Sequence, residues 1–175
     1  PHNSCAAVGG HYYCWGAQNR LGTSFANNRN QIDLQDPVVN SNGNALNSGD
    51  SMAIGAYHVC AIDAVGEAYC WGHNSRYQLG NGNSTAVQNY ASPVAGSNLP
   101  RFNKVFTTRY STDAEAATVS CARSTNSELW CWGSNSHRLL GDTQTQERAA
   151  ALGIEQIVRV KDLALTATKA CAVHW

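Results

Sequence analysis

The chain has 175 residues, 43% of them hydrophobic, which is enough to bury a core and too apolar for a disordered chain. Twelve Lys and Arg balance twelve Asp and Glu, and charged residues reach only 14%, so there is no electrostatic footprint for nucleic acid or an anionic membrane. No stretch approaches the roughly 18 apolar residues of a membrane-spanning helix, and Pro1-His2-Asn3 does not open a signal peptide, so a secreted protein would appear here in mature or trimmed form.

Taken in chain order, the first predicted element is a hairpin in "SCAAVGGHYYCWGAQNRLG", residues 4–22. Two short strands flank turn-prone glycines, and a cysteine sits on each arm, Cys5 and Cys14. A long polar connection follows over residues 23–50, with "DPVV" reading as the entry to a further strand after a turn. A second hairpin, "VCAIDAVGEAYCWGHNSRYQLG" at residues 59–80, repeats the first with Cys60 and Cys70 around "DAVG". Another polar connection, residues 77–117, contains "SPVA", which like "DPVV" reads as the entry to a further strand, and much of it is expected to be surface loop. The third hairpin, "SCARSTNSELWCWGSNSHRLLG" at residues 120–141, carries Cys121 and Cys131. "RAAALGIEQIVRV" then reads as a short helix or a further strand, and "ACAVHW" starts a fourth unit at Cys171.

The leading cysteines are therefore 55, 61 and 50 residues apart. A period near 50 is the mark of propeller blades or solenoid coils. Units fall near residues 1–56, 57–117 and 118–167, with the start of the next at 168–175. If Cys60 faces Cys70 across an antiparallel pair, both project from one side of the sheet, while Tyr69 and Trp71 project from the other. The pairs Tyr13 with Trp15 and Trp130 with Trp132 recur in the same register, which reads as packing between neighbouring sheets. Gly16, Gly72 and Gly133 follow each tryptophan, where the chain must turn or approach another backbone closely.

Zinc ligands usually pair at two to four residues, whereas these cysteines pair at nine or ten, with no histidine recurring in register. Intra-hairpin disulfides Cys5–Cys14, Cys60–Cys70 and Cys121–Cys131 are the expectation, and they imply an oxidising compartment. Cys171 is left unpaired, with its register partner expected about ten residues further on, in sequence beyond residue 175 or in a second chain.

"CWGHNSRYQLGNG", with a later Pro-Val step and another Cys-Ala hairpin, resembles the repeat of the regulator of chromosome condensation family. The second unit keeps Trp71, Gly72, Asn74, Gln78, Leu79 and Gly80. The third keeps Trp132, Gly133, Asn135, Leu140 and Gly141 but has Leu139 in the glutamine's place, and the first is two residues shorter between its glycines. The resemblance implies an all-β fold of β-propeller blades, about three complete and the start of a fourth, within a seven-bladed ring. Its cysteine-bearing form is similar to secreted bacterial members and to crinkly-type receptor ectodomains.

These readings lead to a secreted or cell-surface (alternatively periplasmic) module that binds protein or glycan without catalysis. The alternative is a structural spacer or a fibre or surface-layer component. Expected partners are the remaining blades or a second chain and an extracellular protein or glycan, with no nucleic acid, no membrane insertion, no cofactor and no metal. No Ser-His-Asp or paired-carboxylate motif has a recognisable local context, and His58 is expected to hydrogen-bond backbone. Asp33, Asp36 and Asp50 lack the alternating spacing of a calcium loop. The non-repeating aromatics Phe25, Tyr77, Tyr90, Phe102 and Tyr110 are the candidates for sugar stacking, and Asn83 in "NST" is the one complete N-glycosylation sequon.

Overall fold

Strands form where short apolar runs are bounded by tight turns, and a computed structural model, which describes residues 3–16, 22, 36–109, 118–141, 143 and 145–175, contains twelve of them and no helix among the described residues. They are β1 (Asn3–Val8), β2 (His11–Gly16), β3 (Ser48–Ile54), β4 (His58–Asp63), β5 (Ala68–His73), β6 (Val87–Pro93), β7 (Phe102–Thr107), β8 (Val119–Ser124), β9 (Leu129–Gly133), β10 (Arg148–Gly153), β11 (Val160–Leu165) and β12 (Ala170–His174).

All pairings between them are antiparallel. The order β3-β4-β5-β6 makes one four-stranded sheet and β7-β8-β9-β10 a second, while β1-β2 and β11-β12 are two-stranded. Each four-stranded sheet begins one strand before the hairpin that carries its cysteines. The sheets are therefore offset from the units counted on the cysteines, with β3 and β7 coming from the tail of the preceding unit. Among the described residues two four-stranded blades are complete.

Local chemistry explains each hairpin. The first turns on Gly9 and Gly10, both at positive φ (57° and 83°), as a two-residue turn requires. In the second, Asp63 Oδ1 accepts the Val65 and Glu67 amides at 3.0 and 2.8 Å. In the third, Ser124 Oγ takes that role for Asn126 and Glu128 at 3.2 and 3.0 Å. An Asx or Ser side chain at the turn thereby satisfies amides that the ladder leaves over.

Two connections contain more strand than expected. Within residues 77–117, β6 and β7 are regular strands, and "SPVA" closes β6 rather than opening a strand. Pro93 is tolerated there because β6 is the edge strand, where a missing N–H costs no ladder bond. "RAAALG" forms β10 and "VKDLAL" forms β11. The order of contacts places β3, β7 and β11 side by side, as the inner strands of successive blades.

The core lies between blades. Trp71 packs with Tyr12, Cys14, Val38 and Leu46 of the first blade. Trp132 packs with Cys60, Cys70, Leu79 and Val94 of the second. Both indoles are fully buried. The disulfide face of one blade thus meets the tryptophan face of the next, as alternation of Cys and Trp on successive residues requires. Burying an aromatic of this size supplies about 1.5–3 kcal/mol of apolar transfer.

Candidate functional site

The Trp-Gly…Gln-Leu-Gly segment shows what its residues are for. Asn74 and Asn135 are buried, and their Oδ1 atoms accept the Leu79 and Leu140 amides, each at 3.0 Å. They hold a loop whose closing glycines, Gly80 and Gly141, adopt φ of 63° and 74°. A Cβ on Gly80 would stand 2.5 Å from Trp132 Cδ1, and one on Gly22 would stand 2.9 Å from Trp71 Cδ1. Each glycine is therefore the seat of the next blade's indole. Trp132 Nε1 completes that seat by donating to the Gln78 carbonyl at 3.0 Å. Gly72 and Gly133 meet the close-approach expectation too: a Cβ there would lie 2.8 Å from Tyr57 O and 2.5 Å from Thr118 O.

Sulfur chemistry follows the expected pattern, with Cys5–Cys14, Cys60–Cys70 and Cys121–Cys131 joined as disulfides directly across their hairpins. Cys171 is free and exposed on β12.

His58 differs from its expectation of a backbone partner. Its Nε2 lies 2.7 Å from Ser120 Oγ, in the neighbouring blade, and that hydroxyl donates to Gln78 O at 2.8 Å. With the serine proton committed to the carbonyl, Ser120 Oγ accepts from His58, which is the Nε2–H tautomer. Burial penalises the imidazolium, and the nearby His73 adds to the effect, so the His58 pKa falls to about 3. His58 and Ser120 are 1% and 0% exposed. A serine and a histidine in contact resemble a nucleophile and base, but this pair is sealed between blades and its hydroxyl is already donating. Its partners lie 62 residues apart, so no local motif announced it.

Tyr12 is a second interblade tie. Its hydroxyl donates to Ile62 O at 2.7 Å and accepts from Gly49 N at 3.1 Å, and burial, the leading cause, raises its pKa.

Of the aromatics set aside for sugar stacking, Phe102 is a core residue instead, 3% exposed and edge-on to Trp130 at 6.4 Å. Tyr77 and Tyr90 are half-buried, while Phe25 and Tyr110 lie outside the described residues, as does Asp33. Asn83 is exposed in the loop after β5, and its Oδ1 accepts the Thr85 amide at 3.1 Å.

The open surface with the richest chemistry is a groove of about 800 Å³ along the inner strands β3, β7 and β11. Register equates Met52, Val105 and Leu163, each paired with an alanine that follows the leading cysteine. The position before them carries Ser51, Lys104 and Asp162, three different chemistries at one structural site. Lys104 Nζ binds Asp162 Oδ1 at 2.9 Å across the blades and stands 5.4 Å from the Phe106 ring. The hydrogen bond from Lys104, then that from the Leu163 amide, lowers the Asp162 pKa. Arg109 adds a second cation to the lining. Sequence reading missed this groove because its inner strands fall in the connections between cysteine hairpins.

Four-stranded antiparallel sheets, packed face to face with their inner strands side by side, define a run of β-propeller blades. Models of the regulator of chromosome condensation (RCC1) repeat match residues 50–78 and 65–124. The regulator of chromosome condensation of Xenopus laevis is 28% identical over 140 residues, 79% of this chain and 30% of the relative. Among solved structures, one of Kap60 bound to yeast RCC1 (Prp20) aligns with a TM-score of 0.71 at 17% identity, covering 99% of this chain and 40% of that one. Human WBSCR16 aligns with a TM-score of 0.68 at 16% identity, covering 87% and 35%. Residues 50–124 carry RCC1-type repeats, and the chain, similar to these RCC1-type proteins in sequence and fold, spans about a third of their length.

Proposed function

We propose that the chain is a non-catalytic protein-binding part of a β-propeller that works in an oxidising compartment, at the cell surface or outside the cell. The observation that carries the reading is the division of labour between positions. Trp71, Trp132, Gly80, Asn74 and Asn135 are committed to building the blades, whereas Ser51, Lys104 and Asp162 vary at one position on the open groove. Variation on a rigid scaffold is how recognition is written onto a repeat fold. Related architecture occurs in proteins with protein partners: yeast RCC1 (Prp20) is seen bound to Kap60, and Prp20p of Saccharomyces cerevisiae has binding properties toward Gsp1p and histones. Three disulfides support the oxidising compartment. The burial of the His58–Ser120 pair supports a non-catalytic role.

The test is binding of the chain to parallel arrays of extracellular proteins and of glycans, repeated with Lys104→Glu/Arg109→Glu. Saturable protein binding that the double variant loses, with its unfolding midpoint unchanged, supports the reading. Binding confined to glycans, or filaments under the electron microscope with no ligand on either array, overturns it in favour of a lectin or a structural component.

A further inference from the structure

One motif serves neither the packing of the blades nor the groove. Asn83-Ser84-Thr85 lies in the loop between β5 and β6, where residues 82–86 are all exposed. The loop is nevertheless held in place. Buried Asn74 donates from Nδ2 to the Asn83 carbonyl at 3.0 Å, and the Gly82 amide donates to Ala149 O of β10 at 2.8 Å. The same loop of the third unit, "LGDTQTQ" at residues 140–146, contains no asparagine, so the motif belongs to one blade and is not part of the repeat.

Within the motif, Asn83 Oδ1 accepts the Thr85 amide at 3.1 Å. That bond engages the oxygen end of the carboxamide and leaves Nδ2 without a partner among the described residues. An Asx turn of this kind presents the asparagine nitrogen and the threonine hydroxyl, the two groups that define an N-glycosylation acceptor, on one short exposed arch. Both side chains are exposed, so a bulky hydrophilic substituent displaces nothing from the core. β6, into which the loop runs, is three strand spacings from β3, about 14 Å at roughly 4.8 Å each. A glycan at Asn83 therefore decorates the outer rim and leaves the groove along the inner strands open.

We propose that Asn83 is an N-glycosylation site, its donor an oligosaccharide carried on a polyprenyl diphosphate. Such a donor meets chains entering a secretory route, so the assignment rests on the oxidising-compartment reading above. Asn83 Nδ2 attacks the anomeric carbon of the first sugar. A C–N bond forms as the C–O bond to the diphosphate breaks, Nδ2 gives up one proton, and the lipid diphosphate leaves. No electrons are exchanged, and no oxidant is needed.

The test starts from the native protein taken from its own cells, with free thiols blocked by iodoacetamide at lysis. Peptide mapping by mass spectrometry then reads two things separately. One is whether Cys60 is joined to Cys70 and Cys121 to Cys131. The other is whether the peptide containing Asn83 carries an oligosaccharide that peptide N-glycosidase F releases, leaving an aspartate at that position. Joined cysteines with a glycan on Asn83 are expected. Joined cysteines with a bare Asn83 would overturn the proposal and leave the compartment reading standing, whereas alkylated cysteines would sink both. When the same chain is expressed behind a secretory leader in cultured animal cells, Asn83→Gln and Thr85→Ala should each abolish the glycosidase-sensitive gel shift. Neither should move the urea midpoint, because both side chains are exposed and Thr85→Ala keeps the amide that donates to Asn83. A gel shift that survives Asn83→Gln, or none in the native chain, would also overturn the assignment.

Discussion

Acid should loosen this protein through one imidazole. His58 is neutral when folded, with its pKa lowered from 6.5 to about 3, and on unfolding it returns to the ordinary value. Because the folded value is the depressed one, the unfolded chain binds the proton more readily. The associated stability is intact above about pH 6.5 and is lost progressively as pH falls toward 3. From pH 7 to 4.5 the loss amounts to about 2.5 kcal/mol from this residue alone. The assay is urea unfolding followed by intrinsic fluorescence at a series of pH values, for the native chain and for His58→Gln. Glutamine retains a donor toward Ser120 but does not titrate, so carboxylates and the other histidines cancel in the comparison. The gap between the curves should change by about 2.5 kcal/mol over that interval, in favour of the variant as pH falls. Parallel curves from pH 7 to 4.5 would refute the reasoning, since His58 would then bind protons equally in both states.

Four further outcomes are expected. Trp132→Ala removes a fully buried indole and the hydrogen bond to Gln78 O, and should cost about 3–5 kcal/mol in denaturant titration. Gly80→Ala and Gly82→Ala both place a side chain at positive φ, but only the first drives a Cβ into Trp132. Its urea midpoint should drop further, by about 1–3 kcal/mol of overpacking. Tyr12→Phe strands the Gly49 amide and the Ile62 carbonyl and should cost about 1–3 kcal/mol by the same measurement. Replacing Cys60 and Cys70 together by alanine should cost about 2–3 kcal/mol in calorimetry, whereas Cys171→Ser, at an exposed free thiol, should leave the melting temperature unchanged.

What could be read beforehand followed from distance along the chain. Hairpins, their disulfides and the buried tryptophans are set by residues within about ten positions of one another, and a period-two strand pattern places Cys and Trp on opposite faces without further information. The outer strand β6 and inner strand β7 were hidden in polar connections. β6, "VQNYASP", is half exposed at an edge, and β7, "FNKVFT", turns Lys104 toward the groove, so neither has the apolar alternation of a half-buried strand. His58 with Ser120, Tyr12 with Ile62 and Lys104 with Asp162 join positions 50–62 residues apart. Such pairs become visible only once blades are stacked.

The meeting of unlike faces, sulfur on one side and indole on the other, gives the chain a sense of direction. A blade of this kind has a front and a back, and the two meet at each blade contact described above. Blades that follow the same rule add front to back, each contact repeating the same rotation. Repeated contacts of that kind close into a ring when the rotation divides a full turn and otherwise run on as a helix. The geometry of a single blade step, with a tryptophan of one blade seated on a glycine of the blade before it, is what such a repeat hands on from each blade to the next.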